Sequence, residues 1–168
     1  MTIWLCQYSV FYSDSGSNWF EDFPSFAYTN TGDYDLAIAD CTQVIRFDPN
    51  DAEAYAFRGN VYYDKGDYGI AIKDYTQAIK LDPNDAEAYV QRGFAYRMKD
   101  DYDRAIADFT EAVKLDPNDS WAYTTRGDAY MNKKSYHQAR LDYERALQID
   151  PNHQKAQKCL AELQRLGY

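Results

Sequence analysis

Residues 51–84 read DAEAYAFRGNVYYDKGDYGIAIKDYTQAIKLDPN, and residues 85–118 and 119–152 repeat that pattern with no gap or insertion. Pro49, Pro83, Pro117 and Pro151 recur every 34 residues, each inside Asp-Pro-Asn and each after an apolar helical stretch. A fixed period of this length marks a repeat protein in which each unit buries its apolar face against its neighbours. Function is therefore expected on a surface and not in a pocket.

The columns of the repeat explain how a unit folds. Large rings recur at Tyr55, Tyr89 and Tyr123, at Tyr62, Tyr96 and Tyr130, and at Tyr75, Phe109 and Tyr143. Small residues recur at Gly59, Gly93 and Gly127, at Ala71, Ala105 and Ala139, and at Ala78, Ala112 and Ala146. Small positions let two antiparallel helices approach closely enough to receive the rings, so each unit is predicted to be a helical hairpin. Asp67, Asp101 and Ser135 are suited to cap the second helix, and Asn50 with Glu53 and Asn84 with Glu87 resemble capping boxes for the first. The prolines close one hairpin and open the next.

This pattern of aromatic, Gly, Tyr, Ala, aromatic, Ala and Pro resembles the tetratricopeptide repeat family. The resemblance implies an all-α fold, a right-handed superhelical solenoid of helical hairpins. Complete units are expected at 51–84, 85–118 and 119–152, preceded by a partial unit at 25–50, where Ser25 to Tyr34 parallels Gly93 to Tyr102. In that partial unit Cys41 and Val44 replace an aromatic residue and an Ala, and Pro24 would interrupt its first helix. Residues 153–168 are expected to form a C-terminal capping helix, with Ala156, Cys159, Leu160, Leu163 and Leu166 on one face.

A charged column runs inside the repeat. Arg58, Arg92 and Arg126 stand just before the Gly, where many family members carry an aliphatic residue, while Asp40, Asp74, Asp108 and Asp142 recur in the second helix. A ladder of partly buried, bidentate Arg to Asp pairs between neighbouring helices is the expected use of these residues.

The family resemblance places a peptide groove on the concave face, lined by the first helix of each unit. Carried over, the groove comprises Glu53, Ala56, Phe57, Asn60, Tyr63 and Asp64, then Glu87, Val90, Gln91, Phe94, Arg97 and Met98. The third unit supplies Trp121, Thr124, Thr125, Asp128, Met131 and Asn132. Rings and Met offer apolar contact, the Asn60 amide can hold a peptide backbone, and Glu53, Asp64, Glu87 and Asp128 favour basic side chains. Family members that bind acidic chaperone tails use two Lys, two Asn and an Arg, at positions that here hold Ala56, Asn60, Gln91, Trp121 and Thr125. Only Asn60 agrees, and the cations that would meet a carboxylate are missing.

The formal charge is -9, and residues 1–45 contain no Lys or Arg. An acidic chain repels phosphate, so neither nucleic acid nor a membrane surface is expected as partner, whereas a basic or aromatic-containing peptide or protein fits. Cys6, Cys41 and Cys159 lack metal-site spacing, and no phosphate-binding Gly-rich loop or nucleophile–His arrangement is apparent. No enzymatic activity, cofactor or metal is expected, and a cytoplasmic location is. The working reading is a non-catalytic scaffold or adaptor; the alternatives are a structural, self-associating solenoid and a secretion-chaperone or co-chaperone role without a carboxylate clamp. Residues 1–24 hold Trp4, Tyr8, Phe11, Tyr12, Trp19, Phe20 and Phe23 without helical period. They are expected to cap the N-terminal end irregularly, or to lie as an arm in the groove of this or another copy, if they are not disordered.

Overall fold

A computed structural model describes residues 33–167, and the expectations for residues 1–24 and for the start of the partial unit lie outside them. The described residues form α1 (Tyr34–Phe47), α2 (Ala52–Asp64), α3 (Tyr68–Leu81), α4 (Ala86–Arg97), α5 (Tyr102–Leu115), α6 (Ser120–Asn132), α7 (Tyr136–Ile149) and α8 (Gln154–Arg165). The hairpins are α2 with α3, α4 with α5 and α6 with α7, and each also packs on the next through second helix against first helix. This is the expected all-α solenoid, and α8 packs against α7 after the third complete hairpin.

One contact defines every hairpin. An Arg-Gly pair on the first helix meets an Asp-aromatic pair on the second: Arg58-Gly59 on Asp74-Tyr75, Arg92-Gly93 on Asp108-Phe109, and Arg126-Gly127 on Asp142-Tyr143. A Cβ at Gly59, Gly93 or Gly127 would stand 2.7, 2.6 or 2.7 Å from the Cε1 of the facing ring, closer than carbon atoms can approach. Beside each Gly the guanidinium forks onto the carboxylate. Arg92 Nε and Nη2 donate to Asp108 Oδ2 and Oδ1 at 2.8 and 2.7 Å, and the other two pairs repeat this geometry.

The third Arg nitrogen reaches backwards. Nη1 of Arg58, Arg92 and Arg126 donates to the hydroxyl of Thr42, Thr76 and Thr110 on the preceding second helix, at 3.1, 3.1 and 3.4 Å. Each guanidinium also lies over the ring three residues earlier, Tyr55, Tyr89 or Tyr123. The side chain therefore joins its own hairpin to the one before. Around Arg92, burial is the largest influence and opposes the charge, but the Asp108 hydrogen bond and the nearby negative charge together outweigh it, so its pKa moves upward.

The connections differ from expectation at both sets of helix starts. Asp51, Asp85 and Asp119 cap the first helices, accepting from the amides of Ala54, Ala88 and Ala122, so Asn50 and Asn84 are not capping residues. The Asn of each Asp-Pro-Asn instead donates its backbone N–H to the preceding Asp carboxylate, as Asn84 does to Asp82 at 3.0 Å. A turn with Pro at its second position thus delivers the chain to the following Asp. At the second helices only Asp101 makes a side-chain cap, to the Arg104 amide; Asp67 and Ser135 occupy the position without one.

Each first helix ends in a turn in which the amide of Asp67, Asp101 or Ser135 donates to the carbonyl of Tyr62, Tyr96 or Tyr130. The residue before it adopts positive φ: Gly66 (88°), Asp100 (58°) and Lys134 (60°). Such a position favours Gly.

Substitutions at the crossing and at this turn should have opposite effects. Gly93→Ala should cost about 1–2 kcal/mol, overpacking against Phe109 outweighing the gain in helix propensity, whereas Gly69→Ala, with open space around it, should be neutral or stabilising in urea unfolding. Lys134→Gly should stabilise by about 1 kcal/mol because it relieves a left-handed backbone, read as a higher denaturation midpoint at unchanged slope.

Candidate functional site

The first helices α2, α4 and α6 succeed one another along the stack, with α2 and α4 in direct contact. Side chains one period apart fall in shared columns on this face. One holds Glu53, Glu87, Trp121 and, from the capping helix, Lys155; another holds Asn60, Phe94 and Asp128.

Most expected groove residues are accessible. Asn60, Tyr63, Gln91, Phe94, Arg97, Asp128 and Met131 are half-buried, and Asp64, Met98, Trp121 and Asn132 are exposed. Val90 and Thr124 are not part of an open groove: they are 4% and 0% exposed. They share a column with Ala56 that turns toward the next hairpin, so Val90 joins the core around Phe109, and Thr124 lies 3.4 Å from the His153 ring at the start of α8. Thr125 is buried too, its hydroxyl donating to the Trp121 carbonyl at 2.7 Å.

Asp128 also departs from expectation. Its carboxylate accepts from the buried Tyr143 hydroxyl at 3.0 Å and from Lys155, with Arg97 at 3.7 Å. A carboxylate so engaged is occupied internally, and it ties α4, α6, α7 and α8 together. Asn60 does the same for Tyr75 in the first complete hairpin, accepting from its hydroxyl at 2.8 Å through the side-chain carbonyl and keeping its amide N–H groups for other partners.

The two halves of the face therefore differ. At the α6–α8 end Trp121 is 48% exposed, stacked on His153 with ring centroids 5.9 Å apart and capped by Lys155, whose Nζ is 5.3 Å from its ring. At the α2–α4 end stand exposed Glu53 and Asp64, Glu87 bonded to Gln91, and the rings Tyr63 and Phe94. Tyr63 packs edge-on to Tyr68, and Arg97 lies over Phe94, 5.1 Å from the ring centroid. Desolvation alone raises the Asp64 carboxyl pKa, and no described side chain compensates it.

Lys155 and His153 are members of this face that the sequence pattern does not single out. The signal lies in the period, since Lys155 stands one repeat after Trp121, but a helix read as a terminal cap gives no reason to extend the columns into it.

Burial pushes the Cys41 thiol up to about 11, against the lowering influence of Arg58, so little thiolate forms near neutrality. Among the described residues no three His, Cys, Asp or Glu side chains are grouped to hold a metal ion. No described helix is long and apolar enough to cross a membrane.

Two family models match the chain, TPR repeat over residues 27–66 and 59–100, and tetratricopeptide repeat over 86–119 and 120–153. The chain belongs to the tetratricopeptide repeat family. No curated protein matches it. Among solved structures it is similar to MamA, at 28% identity over 84% of this chain and 82% of that one, with a TM-score of 0.77. It is also similar to the first tetratricopeptide domain of Spaghetti (RPAP3), solved bound to an HSP90 peptide, SRMEEVD, at 31% identity over 70% and 94% of the two chains, TM-score 0.66. The second such domain of human RPAP3, solved with the HSP70 peptide SGPTIEEVD, matches at 30% identity over 67% and 98%, TM-score 0.63. Membership makes the chain a protein-interaction module.

The geometry separates two carboxylates of this face. Asp128→Ala should destabilise by about 1–3 kcal/mol, because the buried Tyr143 hydroxyl loses its acceptor. Asp64→Asn should match or exceed the parent at pH 7. Since folding raises the Asp64 pKa, that gain should vanish as pH falls below its ordinary 3.8, measured by thermal unfolding across pH.

Proposed function

We propose that the module works as a non-catalytic adaptor that holds a segment of a partner protein along the face of α2, α4 and α6. The observation that carries this reading is Trp121: a large ring left half exposed, yet held in one orientation by His153 and Lys155. An exposed but immobilised aromatic residue costs little entropy when it binds, which is the usual character of an interface anchor. Met98, 46% exposed, adds adaptable apolar surface nearby.

The partner's chemistry differs from that of the acidic tails seen with RPAP3. Trp121 and the buried Thr125 stand where a clamp would need cations, and Ala56 packs against the core of Ile79 and Ala88. With Asp128 neutralised by Lys155 and Arg97, the carboxylates left for a partner are Glu53, Asp64 and Glu87 at the α2–α4 end. A segment with a basic residue near α2 and an apolar or aromatic residue near Trp121 fits this division. The Asn60 amide is placed to hold its backbone.

The test is capture from native lysate with the intact chain, Trp121→Ala and Asp64→Lys, each checked for unchanged melting. Binding through this face predicts one protein retained by the intact chain and lost with both variants. Its equal retention by all three would contradict the reading.

A further inference from the structure

We infer that Lys155 sets the charge specificity of the Trp121 end of this face. It fills, from within the chain, a site for an ammonium or guanidinium group built from the Trp121 ring and the Asp128 carboxylate, and so excludes partners with a basic side chain there. The inference rests on the adaptor reading and names the residue that decides what this half of the face accepts.

The other hairpins show what the charge of Asp128 is not needed for. Its column meets the column of buried rings, and the two change together: Asn60 faces Tyr75, Phe94 faces Phe109, and Asp128 faces Tyr143. Where the buried ring has no hydroxyl, an edge-on Phe suffices. Where it has one, an acceptor is required, and Asn60 supplies it at 2.8 Å without any charge. The negative charge of Asp128 is therefore surplus to the packing of Tyr143, which uses only Oδ1. Oδ2 holds Lys155.

Held there, Lys155 Nζ stands 5.3 Å from the centroid of the Trp121 ring, on which His153 is stacked. An aromatic face and a carboxylate around one ammonium group are the surroundings that bind cations. The Asp128 side chain is 15% exposed and that of Lys155 43%, so the carboxylate is shielded and the lysine is the accessible member of the pair. Because Lys155 belongs to α8, its effective concentration at the site exceeds that of any partner cation. A Lys or Arg arriving beside Trp121 meets a like charge and a carboxylate already paired. Arg97 does not duplicate this role: its Nη1 is 3.7 Å from Asp128 Oδ2, beyond a hydrogen bond, and its guanidinium lies over Phe94.

A random peptide library displayed on phage is the probe, selected against the parent chain, Lys155→Met and Lys155→Arg, each checked for unchanged melting, with Lys155→Gln as the substitute if Met alters it. Lys155→Met should recover peptides with a Lys or Arg next to an aromatic residue, which the parent should not, and Lys155→Arg should return the parent's selection. In titration, such a peptide should bind Lys155→Met about tenfold more tightly than the parent, the worth of one charge-assisted hydrogen bond. Asp128→Asn added to Lys155→Met should erase that gain while keeping an acceptor for Tyr143, as Asn60 does for Tyr75. Identical selections from the parent and Lys155→Met, with recovery still lost in Trp121→Ala, overturn the inference and leave the adaptor reading standing. A gain that survives Asp128→Asn also overturns it, because relief of repulsion alone then accounts for the change. No peptide recovered by the parent, or recovery indifferent to Trp121→Ala, overturns the adaptor reading itself and the inference with it.

Discussion

Everything in this molecule is referred to the crossing where Gly meets a ring and Arg meets Asp. The glycine lets the helices approach until the ring of Tyr75, Phe109 or Tyr143 fills the gap, each of these rings being at most 1% exposed. Close packing alone would tolerate a slip along the helix axis, since neighbouring positions are also small or aromatic. The adjacent fork removes that freedom, because planar bidentate pairing demands one register. A buried ion pair adds little net stability, so its service here is to specify one arrangement. The Thr contact then passes that register to the preceding hairpin, and the stack inherits it unit by unit.

The site depends on this frame without sharing in it. Column positions that face neighbouring hairpins, such as Val90 and Thr124, are consumed by packing, and only the columns turned away from both neighbours are left to bind. Within those, the capping helix changes the character of the C-terminal half. Lys155 and Arg97 neutralise Asp128, and Lys155 with His153 fixes Trp121. The other half keeps its carboxylates. Under the proposed function, a face so divided would discriminate among partners by charge at one end and by apolar contact at the other.

The architecture could be read in the sequence because a 34-residue period repeats every constraint three times over. Arg92 with Asp108 was legible for the same reason, as a column and its partner column, although the column alone did not say whether Asp74 or Asp108 was the mate. The helix starts were less legible: Asn84 and Asp85 are both good caps, and only the turn, in which Asp82 claims the Asn84 amide, leaves the role to Asp85. The site was the least legible of all. Whether Thr124 faces a groove or a neighbour depends on the rotation of α6 against α8, and whether Asp128 is available depends on a lysine in the capping helix. Both are tertiary facts that local pattern does not encode.

A double-mutant cycle on Arg92 tests the central claim most directly, pairing Arg92→Leu once with Asp108→Leu and once with Asp74→Leu, and reading each free energy from urea unfolding. The account predicts a coupling above about 1 kcal/mol for Arg92 with Asp108, which share a bidentate contact, and under about 0.5 kcal/mol for Arg92 with Asp74, which do not. A coupling near zero with Asp108, or equal couplings with both, would contradict it, and the register of the stack would then have to come from the rings and glycines alone.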